Sequence, residues 1–463
     1  MTRPDLMTVP ICTALLLAAG GAAARAQVRL PAGAALVAAA SPAAPATPPP
    51  VTLTLDEAIA RGLAASHGLA ALDATHAAAV SAVAGQAAAR KPLVSLQAGY
   101  QRTSHVDAFG LSVPGRGFQV IYPDIPDNYL TRLDVQWPIY SGGRVSALER
   151  AARAEAGASG DDVATAREDL RLAITRAFWA LVTARDAVQV VAQAHRRMEA
   201  HLKDVRNQFA VGLLPPNDVS AAEAQEARQR MLLIQAGNQR DVAAAALRQL
   251  LGLAPDTPVE LQASLAPPPS PGPAAALVAT ALRHRPERQA LVQQVKAAEA
   301  REAAAGAGHR PTVAVSGGVD YARPNPRIFP RALAWNESWD VGVNVSWPLW
   351  DAGRTGASVA QASAGVRAAE QRLAEFDSVL DADVRERALA VDSSRAAITA
   401  ADEAVRSAAD ARRVVEHRFK AGVATSTDVL DAQAALLQAE LDRTEAIADA
   451  RLAQAQLERV IGR

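Results

Sequence analysis

The sequence is nearly free of cysteine, poor in aromatic side chains and without net charge, and each shortage excludes something. Its single cysteine among 463 residues is Cys12. Cys12 falls inside residues 1–26, which read as a cleavable signal peptide. Arg3 precedes an apolar stretch centred on Ala14-Leu15-Leu16-Leu17-Ala18-Ala19, and Ala24-Arg25-Ala26 supplies a small-x-small cleavage site. Val9-Pro10-Ile11 ahead of Cys12 match a lipid-attachment box poorly, so no lipid anchor is expected. The processed chain then has neither disulfide nor thiol chemistry. A formal charge of zero lacks the basic excess that nucleic acid requires. After residue 26 no run of about 20 uninterrupted apolar residues occurs, so no spanning helix is expected. A membrane crossing by this chain has to be a β-barrel. Also missing are a Gly-rich phosphate loop, a His-Glu-x-x-His pair and a serine-nucleophile elbow. No catalytic, cofactor-binding or metal-binding set is expected.

Half of the residues are hydrophobic but only 4% are aromatic, so the apolar content is mostly Ala, Val and Leu. Such side chains form helices readily and let them approach closely. Residues 27–50 are an Ala/Pro-rich lead-in ending in Pro48-Pro49-Pro50. Beyond it one unit is used twice. Trp137-Pro138 returns as Trp347-Pro348, Gly143-Arg144 as Gly353-Arg354, and Phe209, Gly212 and Asp218-Val219 as Phe419, Gly422 and Asp428-Val429, always 210 residues later. The first repeat spans 51–264 (helix, hairpin 93–137, long helix, tip turn 209–218, helix). A Pro-rich linker at 265–273 follows. The second repeat spans 274–463, with hairpin 312–347 and tip turn 419–428.

Proline is absent from 139–214 and 349–463, which permits long helices from near Gly143 to Phe209 and from Gly353 to Phe419. At about 1.5 Å per residue each would reach about 100 Å. Their apolar residues recur every seven, as at Ile174, Leu181, Val188, Leu202 and Phe209, and at Val384, Val391, Ile398, Val405 and Phe419, which is a coiled-coil period. His195 and Arg412 interrupt the pattern and read as polar seam residues near solvent in preference to ligands. The flanking helices, at 54–90, 217–251, 274–308 and 428–462, are each about half the long-helix length, so they are expected to stack in pairs beside the long ones.

The hairpins alternate with period two. Val94, Leu96, Ala98 and Tyr100, then Leu133, Val135 and Trp137, make one face, and Arg132, Asp134 and Gln136 lie opposite. In the second repeat Val313, Val315, Val319, Trp339, Val341 and Val343 oppose Asp320 and Asp340. Strands of about 9–11 residues with one apolar face suit an outer-membrane barrel. All five Tyr and five of six Trp lie within 93–140 or 312–350, as in an aromatic girdle. A soluble sheet with aromatic cross-strand pairs would not explain why the helices nearly lack Tyr and Trp. Residues 105–128 and 322–338 are the expected extracellular loops. Four strands cannot close a barrel, since the smallest have about eight. Two chains would supply eight strands and three would supply twelve.

In this arrangement the sequence resembles the TolC family of outer-membrane efflux proteins. The resemblance covers about residues 51–463. It is carried by Leu53-Thr54-Leu55-Asp56-Glu57-Ala58, by the junctions Trp137-Pro138-Ile139-Tyr140-Ser141-Gly142-Gly143-Arg144 and Trp347-Pro348-Leu349-Trp350-Asp351-Ala352-Gly353-Arg354, and by Phe209-Ala210-Val211-Gly212-Leu213 and Phe419-Lys420-Ala421-Gly422-Val423. It implies a mainly α protein with a membrane β-barrel. Three chains, each giving four strands and long coiled-coil helices, would form a twelve-stranded barrel and a twelve-helix tunnel. It implies a passive exit duct for efflux or type I secretion, set in outer-membrane lipid. The implied partners are a periplasmic adaptor (membrane fusion) protein and an inner-membrane pump of RND, ABC or MFS type.

The resemblance also assigns candidate residues. Asp428 and Asp431 match carboxylates that ring the periplasmic aperture, and their spacing of three puts both on one helix face. Asp428 can equally be a helix cap, and so can Asp218. Phe209, Gly212, Asp218, Phe419 and Gly422 mark the tip turns that would meet an adaptor. Arg132, Asp134, Asp320 and Asp340 would face the barrel lumen. Phe419 and Ala424 stand where family members can carry a Tyr and an Arg that latch neighbouring coils, and neither can make that bond. The rival reading is a secreted or periplasmic structural coiled coil or adaptor. An adaptor would place its helices between β-rich halves that this sequence lacks, and a structural coiled coil would not need two girdled hairpins.

Overall fold

The structure is a computed structural model and describes residues 51–263 and 268–462. The expected signal peptide (1–26), the lead-in (27–50) and residues 265–267 of the linker lie outside the described residues.

The first repeat opens with β1 (Val51–Leu53), α1 (Leu55–Ala65) and α2 (His67–Ala88). A hairpin follows, made of β2 (Leu93–Arg102) and β5 (Asp127–Tyr140), with a small hairpin of β3 (Phe109–Val113) and β4 (Gly117–Tyr122) between them. Then come α3 (Arg144–Ala210), α4 (Pro216–Leu250) and β6 (Val259–Leu261). The second repeat comprises α5 (Ala274–His284), α6 (Pro286–Gly306), β7 (Thr312–Arg323), β8 (Asn336–Ser346), α7 (Arg354–Lys420) and α8 (Ser426–Ile461).

The flanking segments at 54–90 and 274–308 differ from the single helices anticipated for them, because each is broken once. At Ser66 the backbone turns extended and the side chain caps α2 by accepting from the Leu69 amide. At Arg285 the following Pro286 disfavours helical geometry and starts α6 instead. Helices α3 and α7 run unbroken for 67 residues each. Both start after a glycine in left-handed geometry, Gly143 at φ 90° and Gly353 at φ 83°. A side chain there would be strained, which explains the repeated Gly-Arg pair.

Equivalent core residues recur in the two repeats. Ile174, Leu181, Leu247 and Leu251 are buried in the first, and Val384, Val391, Leu457 and Ile461 are buried in the second. In the first repeat the parallel pair of β1 and β6 closes over this core through Leu53 and Val259.

The main sheet has the order β2-β5-β7-β8 and is antiparallel throughout. Its four strands form an open sheet with β2 and β8 at its edges. The β3–β4 hairpin is an addition that the periodicity did not disclose. Register pairs Val94 with Val135, Leu96 with Leu133 and Val319 with Trp339, so the apolar residues share one face. That face is left exposed: Leu96 is 69% accessible, Trp339 73% and Val341 71%. At the helical end, Trp137 Nε1 donates to the Arg90 carbonyl at 3.1 Å and Trp347 Nε1 donates to the His309 carbonyl at 3.0 Å. Each bond ties the last residues of a hairpin to the chain entering it. No described helix is long and apolar enough to cross a membrane.

Candidate functional site

Four of the sequence-selected residues meet on the polar face of the sheet. Arg132 on β5 reaches Asp134 on its own strand at 2.9 Å, Asp320 on β7 at 2.9 Å and Asp340 on β8 at 3.0 Å. One guanidinium therefore staples three strands. Its planar array of donors suits several carboxylates at once, which a lysine could not match. Arg327, which the periodicity could not single out because it lies in a loop, joins the group at 2.7 Å from Asp340. Three carboxylates against two guanidiniums leave the cluster with an excess of one negative charge.

The apolar face is bounded by aromatics. Tyr100, Tyr129, Tyr321 and Trp335 contact one another near the loops, with ring centroids 5.0–5.7 Å apart. Trp137 and Trp347 lie at the helical end. From Tyr129 to Trp137 the strand covers about 27 Å, or about 20 Å of height at a tilt of about 40°, close to the apolar band of about 25 Å in membrane barrels.

At the opposite end of the long helices the two tip turns come together. Gly212 (φ 77°) and Gly422 (φ 75°) each end a long helix. The Gly212 amide donates to the Phe209 carbonyl and the Leu213 amide to the Gln208 carbonyl; Gly422 and Val423 repeat this with Phe419 and Arg418. This is the Schellman arrangement, whose left-handed residue favours glycine. Phe419 is buried with Met198, Leu202, Val205, Ala222 and Val429, so helices of both repeats share one core. Phe209 departs from the anticipated seam. It is 44% exposed because no described element covers its side, and Val211 and Leu213 beside it are exposed as well.

Where a latch was sought and Phe419 and Ala424 offered none, the structure has a different tie. His201 on α3 lies 3.0 Å from the Ser426 hydroxyl on α8, and its ring packs on Phe419 at 5.2 Å. Both polar residues are buried. Burial pushes the imidazole below its usual pKa, with Asp204 and Glu416 pulling the other way.

The two acidic positions of the first turn behave differently. Asp428 closes a capping box: its carboxylate accepts from the Thr425 amide and hydroxyl at 2.8 Å, and its own amide donates to the Thr425 hydroxyl at 3.2 Å. These bonds hold its pKa below the usual carboxylate range. Asp428 therefore has the capping role, as the third residue of the helix with Thr425 as the cap. Asp218 does not form such a box, because its counterpart of Thr425 is Pro215, which has no N–H to give. Its carboxylate accepts from the Asn217 side chain instead. Asp431 is exposed, as is Asp428.

The family described as outer membrane efflux protein matches residues 58–253 and 277–463. The chain belongs to this family. It is 28% identical over 303 residues to the outer membrane protein TolC of Vibrio cholerae serotype O1, a match covering 65% of this chain and 69% of the relative. Among solved structures it shares its fold with VceC of Vibrio cholerae, at TM-score 0.73 and 20% identity, covering 88% of this chain and 96% of that one. It also shares it with the open-state MtrE channel of Neisseria gonorrhoeae, at TM-score 0.72 and 19% identity, covering 88% of each. This outer membrane efflux protein is the outer-membrane channel component of an efflux system and reaches into the periplasm. The resemblance drawn from the repeated junctions and tip turns thus identified the family.

Proposed function

We propose that three copies of the chain close a twelve-stranded barrel and continue it as a twelve-helix tunnel, a passive, non-enzymatic exit duct. The observation that carries this reading is the open sheet, with an exposed apolar face and edges at β2 and β8. Unpaired backbone groups are costly in lipid, so both edges require partners. An even number of antiparallel strands lets β8 of one copy pair with β2 of the next in the same sense.

In this assembly Arg132, Asp134, Asp320 and Asp340 face the barrel lumen, and Asp428 and Asp431 ring the periplasmic aperture. The exposed tip residues Phe209, Val211 and Leu213, presented by the turns at Gly212 and Gly422 with Asp218 alongside, receive a periplasmic adaptor protein. An inner-membrane pump of RND, ABC or MFS type supplies cargo and energy. Cysteines placed at Leu96 of β2 and Val343 of β8 test the closure. Cross-linked species should stop at three chains, and a ladder ending at two or four would refute the trimer.

A further inference from the structure

We propose that His195, Glu199 and Glu226 bind a divalent transition-metal ion of the zinc class, clamping α4 onto α3 above the periplasmic tip. His195 and Glu199 lie one turn apart on α3, and Glu226 reaches them from α4. His195 stands fifteen residues before α3 ends, about 22 Å up the helix.

His195 Nε2 is 3.5 Å from Glu199 Oε1 and 3.8 Å from Glu226 Oε1, and the three donor atoms all lie within 4.8 Å of one another. Those separations are too long for strong hydrogen bonds. They are close to what a tetrahedral ion needs: donors about 2.0–2.1 Å from zinc stand about 3.4 Å apart. Rotation of the two glutamate side chains toward Nε2 would complete three protein ligands, with water in the fourth position.

The His195 side chain is only 14% exposed, and Nε2 is the ring nitrogen that faces both carboxylates. The far oxygen of Glu226 is held by Arg230 at 3.0 Å, which orients the carboxylate toward His195 as an outer-shell partner would.

The fold itself does not demand this trio. At the equivalent positions 210 residues later the second repeat has Val405, Ala409 and Leu436, and Leu436 is buried. An apolar seam serves there, so the polar set in the first repeat has a separate use. Glu199 is 57% exposed, which leaves the ion open to solvent and exchangeable. Holding α3 and α4 together near the tip would stiffen one side of the turn at Gly212.

Titration of the untagged, chelator-stripped full chain in detergent, using Zn²⁺ alone and Ca²⁺ in parallel, tests the site by calorimetry. One zinc per chain and no calcium response are expected. Glu226→Gln should weaken zinc binding by about tenfold or more. The triple variant His195→Val, Glu199→Ala, Glu226→Leu installs the second repeat's side chains and should abolish binding with helicity unchanged. Absence of zinc binding, equal binding by Glu226→Gln, or a calcium response matching that of zinc would each overturn the proposal. The measurement concerns single-chain geometry, so its outcome is independent of the proposed trimeric duct.

Discussion

The buried contact between His201 and Ser426 joins the long helix of the first repeat to the returning helix of the second, with 3.0 Å between Nε2 and the hydroxyl. It crosses the place where the two tip turns meet, so the tip should depend on pH. Burial lowers the His201 pKa from its ordinary 6.5, which means that the folded tip favours the neutral ring. For a depressed base, its share of stability is complete above pH 6.5 and is lost as pH falls toward the lower folded value. Asp204 and Glu416 oppose the shift, and Arg412 pairs with Glu416 at 2.7 Å. Thermal unfolding from pH 7.5 to about pH 5 should therefore show a steeper loss of Tm for the wild type than for His201→Gln. Parallel curves would remove His201 as the titrating group.

Arg132 balances Asp134, Asp320 and Asp340 at once. Replacing it with Gln removes a positive charge from each chain and leaves three neighbouring carboxylates with Arg327 as their nearest cation. If the network borders the proposed lumen, the altered channel should favour cations more strongly than before. The reversal potential of bilayer-reconstituted protein in a KCl gradient should move toward the potassium value. An unchanged potential would mean that the network does not border the ion path.

The aperture reading and the capping role of Asp428 can be separated. Thr425→Ala breaks the capping box, at a cost of about 1 kcal/mol, and leaves both carboxylates in place. Asp431→Asn leaves the cap intact and removes a charge. If the two aspartates ring the entrance, trivalent-cation block from the periplasmic side should weaken in Asp431→Asn and more so with Asp428→Asn added. Thr425→Ala should keep the block. Equal block in all forms would take both aspartates out of the aperture.

Much of this was legible in sequence because it depends on period and on duplication. The period of two put Arg132 and Asp134 on one face, and register then joined them to Asp320 and Asp340. The shared 210-residue offset located both glycine turns. What stayed hidden depends on contacts between distant segments. The arrival of Arg327 at Asp340 comes from loop geometry, and Glu226 sits beside His195 only because α4 folds back on α3. The break at Ser66 has no proline to announce it, unlike the one before Pro286. Equivalence in sequence also concealed a difference in burial between Phe209 and Phe419.

That difference yields a direct contrast. Phe419 is 5% exposed within a core drawn from both repeats, whereas Phe209 is 44% exposed. Phe419→Ala leaves a cavity beside Met198 and Val205 and should cost about 3–5 kcal/mol of local stability, enough to unlock the tip. Phe209→Ala removes a half-exposed side chain, so its cost should stay within about 0.5 kcal/mol. Hydrogen exchange over residues 196–210 and 415–430 in detergent reads this without an assay of transport. Fast exchange should appear in Phe419→Ala and wild-type protection in Phe209→Ala. If Phe209 instead serves the adaptor, its loss should appear only when efflux is measured in cells, as reduced export at normal protein level. Equal exchange in the two variants would show that the tip core is not organised around Phe419.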